Sequence, residues 1–144
     1  MNGMTSIVKT VTRIVVGVIF IYGVYVITHG HLTPGGGFAG GAIVAGAFIL
    51  LVLAFGSDVL KLKTKEEGSS VFESLAILLF LILALGGFIL GTGIFLNNYF
   101  PKGIIGELIS AGVIPLYNIA VGIEVAAALF TIFLALVIFK EESS

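Results

Sequence analysis

HGHLTPGGGFAGG, residues 29–41, places two histidines, a proline and a run of glycines between long apolar stretches. Thr33-Pro34-Gly35-Gly36 fits a type II turn, with Pro34 fixing φ at the second position and Gly35 supplying positive φ at the third. The chain is expected to reverse there. Gly36 and Gly37 leave backbone amides uncovered, while Gly40 and Gly41 open the next apolar run without a Cβ, so another chain or a ligand can come close. Phe38 is the one bulky anchor among them. Amides before a helix N-terminus also suit an anion, but no Lys or Arg lies nearby, so close packing is the preferred use of this stretch.

Outward from the turn, the composition sets the class. Of 144 residues 58% are hydrophobic and 10% charged, and the mean hydropathy is +1.22. A chain so poor in charge cannot cover a soluble domain, so an all-α integral membrane protein is expected. Residues 1–144 read as a single membrane domain with four transmembrane helices, at about 7–28, 39–56, 71–96 and 113–139. The net charge of -1 argues against nucleic acid. The absence of cysteine excludes disulfides, iron–sulfur ligation and thiol chemistry within the chain. No signal-peptide cleavage pattern follows the first run, which is therefore expected to be retained.

That run is short. From Ile14 onward it is free of charge, but 14–28 rises only about 22 Å against a hydrocarbon core of about 30 Å. The glycine stretch is thus expected to dip below the far surface, where irregular backbone needs a covering partner. The second run pairs small residues at four-residue spacing in Gly36/Gly40, Gly41/Ala45 and Ala42/Gly46. Residues 57–70 carry Asp58, Lys61, Lys63, Lys65, Glu66 and Glu67 and read as an aqueous connection. Ser70 and Glu73 have the spacing of a capping box opening the third helix, and Gly87 with Gly91 suggests a helix-packing surface on it. Within 97–112 the run IIGELI suits a short interfacial helix with Glu107 in water.

The combination GHLTPGGGFAGG, set between two apolar runs, resembles the signature of the MnhB-type subunit family, and the four-helix layout resembles that family as well. The resemblance implies a subunit of Mrp-type multisubunit Na+/H+ antiporters or of related membrane-bound hydrogenase and ferredoxin-linked respiratory complexes. Its implied partners are other membrane subunits, with Na+ and H+ as transported ions and the lipid bilayer as surroundings. Any redox centre then sits on a partner, so no cofactor and no catalytic residue are expected in this chain.

Basic residues set the orientation. Lys9, Arg13, Lys61, Lys63, Lys65 and Lys140 fall on one side of a four-span layout and Lys102 on the other. By the positive-inside rule both termini are expected in the cytoplasm of a multi-pass protein of the cell membrane.

Three residues carry candidate chemistry. His29 and His31 lie two apart, which places them on different faces of a helix but on one side of an extended segment, and no obvious third ligand for a metal accompanies them. Two uses remain open for them, a hydrogen bond to a neighbouring subunit and a proton-sensitive role, since imidazole as a group titrates near neutrality. Glu124 stands near the middle of the fourth run, where a carboxylate must be protonated, paired or hydrated. Tyr117, Ala120, Val121, Ala127, Ala128 and Thr131 share its helical face, which is expected to point inward. Glu124 is thus either a neutral group hydrogen-bonded across helices or part of an ion or proton path, and His31 and His29 are the further path candidates. Pro34, Gly35, Gly36, Gly37, Phe38, Gly40 and Gly41 form the candidate subunit-packing motif.

Two function classes fit this inventory. One is a non-catalytic subunit of a cation-pumping assembly. The other is a self-sufficient small homodimeric proton-coupled transporter built on one membrane carboxylate.

Overall fold

Lipid offers no partner to a backbone amide, so each apolar run must close its own hydrogen bonds as a helix. The computed structural model describes residues 4–56, 62–90, 93–107 and 110–142. It contains α1 (Ser6–Thr28), α2 (Gly36–Phe55), α3 (Leu62–Leu90) and α4 (Ile114–Glu142). All four are long and apolar enough to cross a membrane, and no strand occurs among the described residues.

The helices stand in a row. α1 packs on α2, α2 on α4 and α4 on α3; α1 also touches α4 where Ile27 meets Gly122, while α3 touches neither α1 nor α2 among the described residues. α2 is the central member, with 39% of its span buried, and α3 forms an edge, with 17% buried. α1 and α2 run antiparallel, and at the far end from the connecting turn Arg13 Cζ lies 5.1 Å from the centre of the Phe55 ring. Lys9 Nζ lies 5.9 Å from the same ring and the Met4 amide donates to the Ala54 carbonyl at 3.0 Å, so the start of α1 lies beside the end of α2. α2 and α4 run parallel, with the Phe48 and Phe130 rings 5.7 Å apart. Below them Val52 and Leu134 make a fully buried contact that Phe130, Phe133, Val137 and Ile138 surround. α3 and α4 are antiparallel: the buried Ser69 hydroxyl donates to the Ala127 carbonyl at 2.9 Å, and the Phe80 and Tyr117 rings meet at 5.0 Å.

Several local expectations change. The chain reverses after α1 by a hydrogen-bonded turn on His29, whose carbonyl accepts the amides of Leu32 at 2.9 Å and Thr33 at 3.0 Å. Gly35 does adopt positive φ, but its φ of 143° and ψ of -70° are those of a helix entry and not of a type II turn. Glycine is required there, since this region is closed to a Cβ. The charged stretch is not a free linker throughout: helix α3 already begins at Leu62. Ser70 is consequently inside a helix, where its carbonyl accepts the Ser74 hydroxyl at 3.0 Å, and the Ser70–Glu73 capping box does not form. Residues 57–61 lie outside the described part.

At its other end α3 stops at Leu90, short of the expected 96. Gly86 and Gly87 make room for the following loop and not for a second helix: a Cβ on Gly86 would fall 2.7 Å from the Tyr99 hydroxyl, and one on Gly87 2.8 Å from the Asn97 amide. Gly91 is outside the described residues. Asn98 staples this loop, its side-chain oxygen accepting the amides of Phe100 at 3.3 Å and Val113 at 3.2 Å. Residues 104–107 form no helix, and 108–109 are outside the described part.

Candidate functional site

The glycines of the motif bring three helices together. A Cβ on Gly40 would lie 2.8 Å from the Ile27 amide and 2.9 Å from the Gly23 carbonyl on α1. One on Gly41 would lie 2.6 Å from the Gly122 carbonyl on α4, and Gly37 faces Asn118 and Val121 of that helix equally closely. The close approach expected of these glycines is thus made to helices of the same chain. Phe38, by contrast, is 67% exposed, and Pro34 and Gly35 are exposed beside it.

Asn118 joins this cluster, a residue sequence reasoning passed over. Its side chain lies at 3.0 Å from a Cβ position on Gly30 and 3.5 Å from one on Gly36, so it fills the inside of the turn. An amide side chain in the first turns of an otherwise apolar helix was the available signal.

The histidines part company. His29 stacks on Tyr25, ring centres 4.1 Å apart, and its Nδ1 donates back to the Tyr25 carbonyl at 3.1 Å. His31 turns to the loop before α4, where Nε2 donates to the Glu107 carbonyl at 3.4 Å. With Nε2 committed as donor, Nδ1 offers a lone pair or, in the imidazolium, a second N–H, and it is buried with no partner in the chain. Residues 29–32 form a turn, neither the helix nor the extended segment for which the two-residue spacing gives an expectation.

Glu124 lies on α4 among the residues expected around it. Ala120 is 0% and Ala127 8% exposed, and Tyr117, Val121, Ala128 and Thr131 are half-buried. One turn further on, the Ala127 carbonyl accepts both the Ser69 hydroxyl across the seam and the Thr131 hydroxyl at 2.9 Å. Glu124 itself is half-buried and makes no hydrogen bond or ion pair with a described residue. A second buried polar group on this helix, the Tyr117 hydroxyl, also has no partner in the chain. A carboxyl in a transmembrane helix without a fixed partner is suited to exchanging a proton or a small cation with water or another subunit.

Comparison with known proteins follows the same lines. The profile of the domain related to the MnhB subunit of Na+/H+ antiporter matches residues 7–131. An uncharacterized protein of Methanocaldococcus jannaschii is 43% identical over 117 residues, covering 76% of this chain and 43% of that protein. A protein of Staphylococcus aureus strain Newman named as antiporter subunit mnhB2 is 31% identical over 110 residues, covering 76% of this chain and 70% of that one. Among solved structures, a chain of the membrane-bound sulfane sulfur reductase, an archaeal respiratory membrane complex, superposes with a TM-score of 0.72 at 35% identity. That match covers 89% of the present chain and 56% of the other. The present chain therefore spans about half the length of the archaeal proteins it matches.

Proposed function

That the chain belongs to the family of domains related to the MnhB subunit of Na+/H+ antiporters is the premise from which we propose its role: it is a non-catalytic subunit that lines part of the cation or proton path through Glu124. As an antiporter-type subunit it works inside a multisubunit membrane assembly, which sets aside the self-sufficient homodimer. The observation that carries the path reading is the unpartnered, half-buried carboxyl of Glu124 in a transmembrane helix, on the face packed against α3. His31 supports a contribution at the other end of α4, its buried Nδ1 awaiting a partner from water or a neighbouring subunit. Pro34 and the exposed Phe38 are the motif residues turned outward, and we assign them to contact with such a neighbour.

Glu124→Gln keeps the size and hydrogen-bonding capacity of the side chain and removes its titration. In membrane vesicles carrying the assembled complex, this variant is expected to lower Na+/H+ exchange at least about tenfold, a loss below the roughly 10²–10⁴-fold typical of a positioned proton-transfer group. Exchange at the original rate with the original pH dependence would assign Glu124 a purely structural role.

A further inference from the structure

The two contacts between α3 and α4 fix more than a packing angle. With Ser69 on Ala127 and Phe80 on Tyr117, two antiparallel helices of equal rise bring Glu73 level with Glu124 and Glu66 level with Thr131. On each helix these residues recur at heptad spacing, Glu66, Glu73 and Phe80 on α3 and Tyr117, Glu124 and Thr131 on α4, so they form the rungs of one ladder. The outer rung is the aromatic pair seen directly. The middle rung sets two carboxyls on facing helices, and the inner rung a carboxyl and a hydroxyl.

The α2–α4 contacts give the ladder its depth. Phe48 on Phe130 puts Thr131 beside the second half of α2, well before the end of that helix at Phe55. α2 is about as long as the hydrocarbon core is thick, so the Glu73–Glu124 rung lies within the bilayer, and Glu66 stands where the apolar span of α3 opens. Glu66, Glu73, Glu124 and Thr131 are all half-buried. Neither Glu73 nor Glu124 has a hydrogen bond or ion pair with a described residue, and on the rung above them the Tyr117 hydroxyl is fully buried and unpartnered. Lipid satisfies none of these groups, so their partners must come from water or from a neighbouring subunit.

We propose that the α3–α4 seam is a hydrated proton path in which Glu73 is the companion of Glu124, with Glu66 as its inner entry and the Phe80–Tyr117 rung as its outer limit. The inference rests on the path reading of Glu124 and adds the group that exchanges protons with it. In the transfer the carboxylic acid of Glu73 gives its proton to a bridging water, and that water passes one of its own to the Glu124 carboxylate. Glu73 becomes the carboxylate, Glu124 the acid, and the water is unchanged. On the same helical faces as the pair stand Glu66 and Ser69 of α3 and Tyr117 and Thr131 of α4, with the buried Ala76, Ala120 and Ala127, while Lys63, Lys65 and Glu67 flank Glu66 in the chain. α2 presents glycine and alanine to the opposite side of α4, and α1 reaches it through Ile27 against Gly122. Lys9 and Arg13 stand at the Phe55 end of α1, outside the seam.

The test compares Glu73→Gln, Glu124→Gln and the double variant in vesicles bearing the assembled complex, together with dicyclohexylcarbodiimide, which modifies protonated carboxyls in apolar surroundings, mapped by peptide mass spectrometry on the unmutated complex. Glu73→Gln is expected to lower exchange at least about tenfold and to shift its pH profile, and the double variant to lose no more than the worse single one, as members of one unit do. Carbodiimide is expected to label both residues. Normal exchange in Glu73→Gln alongside impaired exchange in Glu124→Gln overturns the pairing and leaves the path reading of Glu124 intact. Normal exchange in Glu124→Gln overturns both. Should Glu73→Gln fail to assemble, the unmutated complex decides, since absence of label on Glu73 while Glu124 is labelled refutes the seam.

Discussion

Gly40 and Gly46 stand on the same helix and answer differently to one added carbon. A Cβ on Gly40 meets the backbone of α1 at 2.8 Å, which no side-chain rotation relieves, whereas one on Gly46 finds nothing within 4 Å. Gly40→Ala is therefore expected to destabilise the chain by about 1–3 kcal/mol, read as a lower unfolding temperature in detergent, and to do so without any partner present. Gly46→Ala is expected to be neutral or to stabilise by up to about 1 kcal/mol, as alanine does in an open helical position. The small-residue spacing makes the need for close approach legible in the sequence. It cannot say whose backbone approaches, since a stripe of glycines reads alike whether the neighbour is a helix of the same chain or of another. Glu124 is legible from its depth alone, while Glu73 is hidden by a nearby serine at capping-box spacing.

Charge hides where α3 begins. Lysines and glutamates suggest water and a loop, yet both are good helix formers, and here they open a helix that starts at Leu62. What hydropathy reports is the preferred solvent of a segment, and a segment packed against α4 answers to that neighbour instead. Gly68, inside this first part of α3, has nothing within 4 Å of a Cβ, so a side chain there acts through the backbone alone. Gly68→Pro is expected to cost about 3 kcal/mol or more and to lower helical content by circular dichroism, because it removes a helical hydrogen bond and crowds the preceding turn. A solvated linker would tolerate the same change, so an unaltered unfolding temperature would make that position a linker after all. The spans themselves are legible wherever apolar length exceeds what a soluble helix needs, and their ends are not.

Hydropathy fixes how deep a helix lies and says nothing of which helix stands beside it, so the order α1, α2, α4, α3 comes from contacts alone. Gly23, Gly40, Gly41 and Gly122 gather α1, α2 and α4, each a site where a neighbour's backbone or a single large side chain fits, and Ser69 and Phe80 seat α3 on α4. The side of the membrane on which the row begins is a separate matter, and the basic residues near α1 and α4 argue for the cytoplasm. Cysteines placed at Met4 and Lys102, both exposed, are expected to react with an impermeant maleimide from opposite faces, Met4 only after the cytoplasmic side is opened. Reaction of both from outside would invert the layout. A row of helices also has little interior of its own: α3 keeps 17% of its span buried, and large apolar side chains stand exposed on all four helices. A copy made without its neighbours is thus an orphan that membrane proteases can grip from either side, and its abundance in a cell is expected to follow the synthesis of its partners more closely than its own.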